Sequence, residues 1–177
     1  MARTFNFCPS CGSSSIAFDG IKEFTCGDCS FAYFQNVAAA AGAILECDGK
    51  IVLIRRKQEP GKGKLDLPGG FTDPGETVEE GARREIREEL KIDVGPLEYL
   101  GSYPNTYEFR NVTYRSCDLL FYQKIEAFPT EFDETEAEEL LLLDPFEIPD
   151  DELAFESVRR GLQLFRQMKS GEESVDR

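Results

Sequence analysis

Three glutamates lie close together near the middle of the chain, in the stretch REIREELKI at residues 84–92. On a helix, Glu85, Glu88 and Glu89 are related by i, i+3 and i+4 spacing, so they share one face. Magnesium binds carboxylate oxygens and keeps some of its waters, usually beside substrate phosphates. The spacing therefore suits a divalent-cation site, although exposed helices also carry glutamates at these spacings without a ligand.

Four cysteines in the first 29 residues form two Cys-x2-Cys pairs. They are Cys8, Cys11, Cys26 and Cys29. Four thiolates at this spacing suit tetrahedral Zn2+, and because no coordination position stays open, we expect a structural zinc. Cys47 and Cys117 stand alone and are predicted to be small buried hydrophobic residues. The chain has no histidine, so a general base must be a carboxylate, Lys, Tyr or Cys.

The composition narrows the classes of function. The chain has 177 residues, and this length suits one domain with its own core plus a small module. A net charge of −14 argues against nucleic acid as a partner. No stretch reaches the ~18–20 apolar residues of a membrane span, and the N-terminus lacks an apolar signal core. We therefore expect a cytoplasmic protein without membrane contact.

The chain divides into two predicted domains, residues 1–34 and residues 35–177. The first contains the cysteine pairs and a hairpin-like stretch with Asp19-Gly20 at its turn. In the second, two strand candidates, VAAAAGAIL and KIVLIRR, are joined through a turn at Asp48-Gly49, and a long Gly- and Pro-rich loop follows. Further strands precede a final helix predicted over residues 150–168. This order favours an α/β sandwich with a mixed sheet between helices.

The glutamates are predicted to lie on a helix that begins after Thr77. Thr77 with Glu80 forms a capping box, and four apolar side chains recur every four residues to make the buried stripe. They are Val78, Ala82, Ile86 and Leu90. At ~100° per residue, the glutamate face lies about a quarter turn from this stripe. We expect the carboxylates beside the core and not opposite it.

The segment Gly70-x5-Glu76-x7-REIREELKI, preceded by LPGGF at 67–71, resembles the Nudix hydrolase signature. Every defined position matches except Lys91, where the family has glycine. A lysine in the left-handed conformation costs roughly 1 kcal/mol, but its cation is favourable at a helix C-terminus. The resemblance implies a Nudix α/β/α sandwich with a mixed sheet, here preceded by a small β zinc ribbon.

The resemblance also implies roles at this site. Glu85, Glu88 and Glu89 would bind Mg2+ or Mn2+ together with a carbonyl of the glycine loop, assigned to Gly70. Arg84 would hold the carboxylates in place and Glu76 would brace the loop. The residues assigned to catalysis are Arg84, Glu88, Glu89 and Glu139. Glu139 precedes an apolar strand, where many family members add a glutamate, and Glu136 and Glu138 are the alternatives.

A zinc ribbon followed by this signature resembles the arrangement of NADH pyrophosphatases. The later stretch GSYPNTY at 101–107 departs from their aromatic pattern, and the chain has no Trp. The implied substrate is a small-molecule nucleotide diphosphate, with NADH-type dinucleotides and ADP-ribose as leading candidates. Arg55 or Arg56 is predicted to contact phosphate, since arginine can bind it bidentately. Tyr103 and Tyr107 are predicted to stack on a base, with core or rim packing as the alternative.

Three other interpretations remain open on the sequence alone. Within enzymes, the chain could be a nucleoside triphosphatase or an RNA cap hydrolase. In a different class, it could be a non-catalytic Nudix-like module that senses a nucleotide or docks a partner. Such modules typically lose the metal-binding glutamates, which this chain keeps. By resemblance alone, a homodimer is expected.

Overall fold

A computed structural model describes residues 5–171 of the chain. The chain forms two compact units. The smaller contains the N-terminal residues through Val37 together with Thr106–Arg115, and the larger contains Ala38–Asn105 and the residues from Ser116 onward. The sequence did not indicate that residues 106–115 belong with the smaller unit. No helix among the described residues is both long and apolar enough to span a membrane.

The smaller unit is built around a three-stranded antiparallel sheet in the order β1-β2-β3. Its strands are β1 (Ile16–Phe18), β2 (Glu23–Cys26) and β3 (Ala32–Phe34). The carboxylate of Asp19 accepts the N–H groups of Ile21, Lys22 and Glu23, which closes the predicted hairpin. Phe24 is fully buried, and its ring stacks on Phe18 at 4.3 Å. These few aromatic contacts form its apolar core.

The larger unit contains a seven-stranded mixed sheet between two helices. Its main path runs in the order β10-β5-β4-β9-β8, while β6 pairs with β5 and β7 with β4. The elements in chain order are β4 (Ala38–Cys47), β5 (Lys50–Arg56), β6 (Leu65–Asp66), β7 (Gly69–Phe71), α1 (Val78–Leu90), β8 (Glu98–Phe109), β9 (Val112–Lys124), β10 (Ala137–Leu143) and α2 (Glu156–Ser170). Strands β4 and β9 run parallel, whereas β4 and β5 are antiparallel. The predicted fold class is confirmed.

Each face of the sheet packs against one helix. Alternating residues of β4 point to opposite faces, so Ile44 joins the core under α2 and Leu45 joins the core under α1. Leu162 and Phe165 of α2 complete the first core. Ile86 and Leu90 of α1 complete the second. This two-sided burial confirms the sandwich and explains why the central strand β4 is almost entirely apolar.

Two local expectations were wrong. The Gly- and Pro-rich loop before α1 is not structureless throughout, because Leu65–Asp66 and Gly69–Phe71 pair with the sheet as β6 and β7. The last helix does not run from residue 150. A single 3-10 turn at Asp150–Glu152 is followed by an extended break, and α2 begins at Glu156. Leu153, which lies within the predicted helix range, is buried in that break and not on the helix.

Candidate active site

Helix α1 begins and ends as the sequence predicts. Thr77 accepts the backbone N–H of Glu80, and the Glu80 side chain accepts the N–H of Thr77, which completes the capping box. Lys91 adopts the left-handed conformation at φ 56°, and its N–H bonds to the carbonyl of Arg87. Its ammonium also donates to the Glu88 carbonyl at 2.6 Å. The cation thus occupies the helix C-terminus, where it is electrostatically favourable.

Arg84 is the centre of the carboxylate cluster. Its Nη1 donates to Glu85 at 2.8 Å and to Glu88 at 3.1 Å. The other side of the guanidinium binds both carboxylate oxygens of Glu76 and the carbonyl of Phe71. These hydrogen bonds raise the pKa of Arg84 and lower that of Glu76. One side chain therefore fixes the helix carboxylates relative to the preceding loop.

The glycine loop lies directly against these carboxylates. A Cβ at Gly70 would come 2.6 Å from Cδ of Glu85. A Cβ at Gly69 would come 2.0 Å from the Ala41 carbonyl oxygen, and its φ of +144° is one that other residues rarely adopt. Both positions require glycine because the backbone is in contact with its neighbours. The backbone of this loop is thereby held next to Glu85 and Glu89.

Glu89 is buried, with 7% of its surface exposed, and its carboxylate accepts the Gly69 N–H at 2.8 Å. Burial raises its pKa well above the ordinary value, and the charges of Asp66, Glu85 and Glu136 raise it further. Burial also raises the pKa of Glu85, against the effect of Arg84. Mutual repulsion in a low-dielectric site is the condition that a bound cation relieves. The carboxylates are hard oxygen donors of the kind that Mg2+ takes.

The late acidic loop contains two glutamates with different surroundings, Glu136 and Glu139. Glu139 forms an ion pair with Arg55 at 3.2 Å. Glu136 is the member of this loop whose charge raises the pKa of both Glu85 and Glu89. A register shift between Ala137 and Glu139 separates the two positions. The sequence named Glu136 only as an alternative, because such a shift cannot be read from the pattern of residues.

The two arginines predicted to contact phosphate are engaged inside the protein. Arg55 binds Glu139 and the Gly63 carbonyl. Arg56 binds Asp66 at 2.7 Å and the Pro60 carbonyl at 2.7 Å. Burial raises the pKa of Asp66 to about 6, although Arg56 acts in the opposite direction. The sequence analysis missed Asp66, and the signal that could have found it is its position as an acidic residue between apolar neighbours in KLDLPGG.

The two tyrosines predicted to stack on a base belong to different units. Tyr103 packs against the core under α2, and the Arg160 guanidinium lies 5.6 Å from its ring centroid. Tyr107 belongs to the smaller unit, where it stacks on Tyr114 at 5.5 Å. Within the described residues, both rings therefore make the packing contacts that the sequence analysis gave as the alternative.

The four cysteines of the smaller unit could hold a metal ion. Their sulfur atoms all lie within 4.8 Å of one another. Cys8 and Cys29 are 3.6 Å apart, and Cys11 and Cys26 are 3.7 Å apart. Tetrahedral Zn2+ with Zn–S bonds of about 2.3 Å separates its sulfurs by about 3.8 Å. Although burial acts to raise it, hydrogen bonds from Cys11 and Ser10 lower the pKa of Cys8 to about 7. The donor set thus fits zinc.

Comparisons with known proteins agree with this fold and this site. The family model of the NUDIX domain matches residues 35–160. The chain therefore belongs to the NUDIX family, and the resemblance to the Nudix signature is confirmed. A crystal structure of a NUDIX hydrolase from Nitrosomonas europaea is 25% identical, with a TM-score of 0.64, and the match covers 97% of each chain.

Two curated relatives match parts of the chain. An ADP-ribose pyrophosphatase of Methanocaldococcus jannaschii is 47% identical over 70 residues, which are 40% of this chain and 41% of the relative. A NAD-capped RNA hydrolase NudC of Vibrio atlanticus is 31% identical over 104 residues, which are 59% of this chain and 38% of the relative. The matched segments thus span about two fifths of the length of these relatives.

Proposed function

We propose that this chain is a divalent-cation-dependent Nudix pyrophosphohydrolase. Its substrate would be a nucleoside diphosphate linked to another moiety, with ADP-ribose and NADH-type dinucleotides as leading candidates. The observation that carries the proposal is the carboxylate cluster around Arg84, against which the Gly69-Gly70 backbone is pressed. The names of the two curated relatives support the substrate class. The smaller unit would hold a structural Zn2+.

Each residue of the cluster has a role in this proposal. Glu85, Glu88 and Glu89 would hold Mg2+ or Mn2+, with a carbonyl of Gly70. The ion would supply charge neutralisation for the diphosphate oxygens and lower the pKa of a bound water. Arg84 keeps Glu85 and Glu88 oriented. Glu136, whose charge acts on Glu85 and Glu89, would accept the proton of the attacking water and would replace Glu139 among the residues assigned to catalysis.

The substrate contacts need a different assignment from the sequence prediction. Arg55 and Arg56 already bind carboxylates and backbone carbonyls, so their guanidinium groups are committed to the protein. We assign them to the support of the loop before α1. Release of Arg56 would leave the buried Asp66 without its cation, which opposes a direct role of Arg56 on phosphate.

A phosphate-release screen in Mg2+ tests the proposal. ADP-ribose, NADH, NAD, FAD, diadenosine polyphosphates, nucleoside triphosphates and a NAD-capped RNA oligonucleotide would be compared. We expect metal-dependent turnover of ADP-ribose or a dinucleotide, and we expect Glu88→Gln to reduce kcat by at least about 100-fold. Glu79→Gln is the matched control, because Glu79 is exposed on the same helix. Unchanged turnover by Glu88→Gln would refute the assigned role, and preferential cleavage of the RNA would favour the cap hydrolase.

A further inference from the structure

The acidic loop that carries Glu136 bears negative charges that repel the carboxylates of Glu85 and Glu89. Residues 131–139, EFDETEAEE, contain six carboxylates, and the charge of Glu136 already disfavours ionisation of Glu85 and Glu89. Like charges would push this loop away from the cluster. The loop therefore needs contacts that hold it in place against repulsion.

The start of the long loop after β5 provides such contacts. The Lys57 ammonium donates to the carbonyl of Glu134 at 2.6 Å, and the Gln58 amide donates to the carbonyl of Thr135 at 3.1 Å. The backbone N–H of Lys57 also donates to the carbonyl of Glu136 at 2.9 Å. Three consecutive carbonyls of the acidic loop are thus bound by two consecutive residues. None of these bonds uses an acidic side chain, so the carboxylate of Glu136 is left available to the cluster.

A second contact ties the other end of the loop to α1. The N–H of Asp133 donates to the carbonyl of Glu89 at 2.7 Å. The Asp133 carboxylate accepts the hydroxyl and the N–H of Thr135, which fixes the turn that leads to Glu136. The loop is therefore held at two places. Lys57 and Gln58, just after β5, bind its carbonyls, and its Asp133 N–H binds the carbonyl of Glu89 in α1.

We infer that Lys57 and Gln58 are positioning residues, which hold residues 133–136 so that Glu136 stays at the Glu85 and Glu89 carboxylates. The effect of these residues on catalysis rests on the proposed function, whereas their contacts with the loop do not. Lys57 suits this role because its ammonium group offsets the negative charge of the loop and also donates a hydrogen bond to the carbonyl of Glu134. Within residues 5–171, no hydrogen bond or ion pair joins the side chain of Lys57 or Gln58 to Glu85 or Glu89.

Hydrogen exchange measured by mass spectrometry tests the contact without reference to activity. In Lys57→Met, which keeps the length of the side chain but removes its donor, we expect amides of residues 133–137 to exchange about threefold to tenfold faster. Lys57→Arg, which can still donate, should restore slow exchange. Lys62→Met is the matched control, because Lys62 lies on the same loop and its ammonium has no hydrogen bond or ion pair within residues 5–171. Unchanged exchange in Lys57→Met would overturn the inference.

A double-mutant cycle tests the catalytic consequence. Lys57→Met should lower kcat about threefold to tenfold with KM changed less than about twofold, and it should have no further effect in Glu136→Gln. An equal loss of kcat in both backgrounds would show that Lys57 does not act through Glu136, and would overturn the inference. Glu136→Gln with wild-type kcat would overturn it as well. Wild-type protein that hydrolyses no nucleotide would instead refute the proposed function, while the exchange result still decides the contact.

Discussion

Asp66 is expected to make the protein less stable as the pH rises. It is buried beside Arg56, and burial raises its pKa from 3.8 to about 6. Because the folded state then holds the proton more tightly than the unfolded chain, the stability contributed by the protonated form is complete below pH 3.8. It is lost as the pH rises through about 6. Asp66→Asn removes this titration.

The difference between the two pKa values corresponds to about 3 kcal/mol of folding stability, at about 1.36 kcal/mol per pH unit, which is present at low pH and lost at high pH. About half of this stability is already lost at pH 5, and the other half, about 1–2 kcal/mol, is lost between pH 5 and pH 8. The attraction between Arg56 and the ionised carboxylate is already contained in the pKa of about 6, so it adds no separate contribution to this difference. We therefore expect the substitution to be less destabilising, or more stabilising, by about 1–2 kcal/mol at pH 8 than at pH 5.

Urea unfolding followed by far-UV circular dichroism at pH 5 and pH 8 measures this difference. Both values lie above the sequence pI of about 4.5, so the protein keeps a negative net charge. Glu138→Gln is the control, because Glu138 is exposed, and its effect on stability should be the same at both pH values. If Asp66→Asn changed the free energy of unfolding equally at pH 5 and pH 8, the assigned burial of this carboxyl would be refuted.

Two further changes test the packing and the metal site. Gly161→Ala should cost about 1–3 kcal/mol, because its Cβ would lie 1.9 Å from Leu120 Cδ1. Urea midpoints should show this loss, whereas Gln167→Ala on the exposed side of α2 should not, and equal midpoints would contradict the packing. Cys26→Ser should remove the zinc measured by atomic absorption and Cys117→Ser should retain it. A Cys26→Ser protein with one zinc per chain would contradict the four-cysteine site.

The helix that carries the glutamates could be predicted in detail because its geometry is local. Thr77 with Glu80 specified its start, and the fixed rotation of about 100° per residue placed the glutamates on one face. Even the departure at Lys91 could be interpreted, since a left-handed residue is required there whatever its side chain. The Cys-x2-Cys pairs were equally informative, because each short pair brings two thiolates to one ion.

The sequence by itself thus determined the family, the α/β sandwich and the face of α1 on which the carboxylates meet. Only the tertiary structure decided the partners of side chains that are distant in sequence. It paired Arg56 with Asp66 and Arg55 with Glu139, and it brought the charge of Glu136 close enough to Glu85 and Glu89 to raise their pKa values. These choices depend on strand register and on loop contacts such as that of Lys57 with residue 134. No local periodicity encodes them, because they arise only when separate elements pack together.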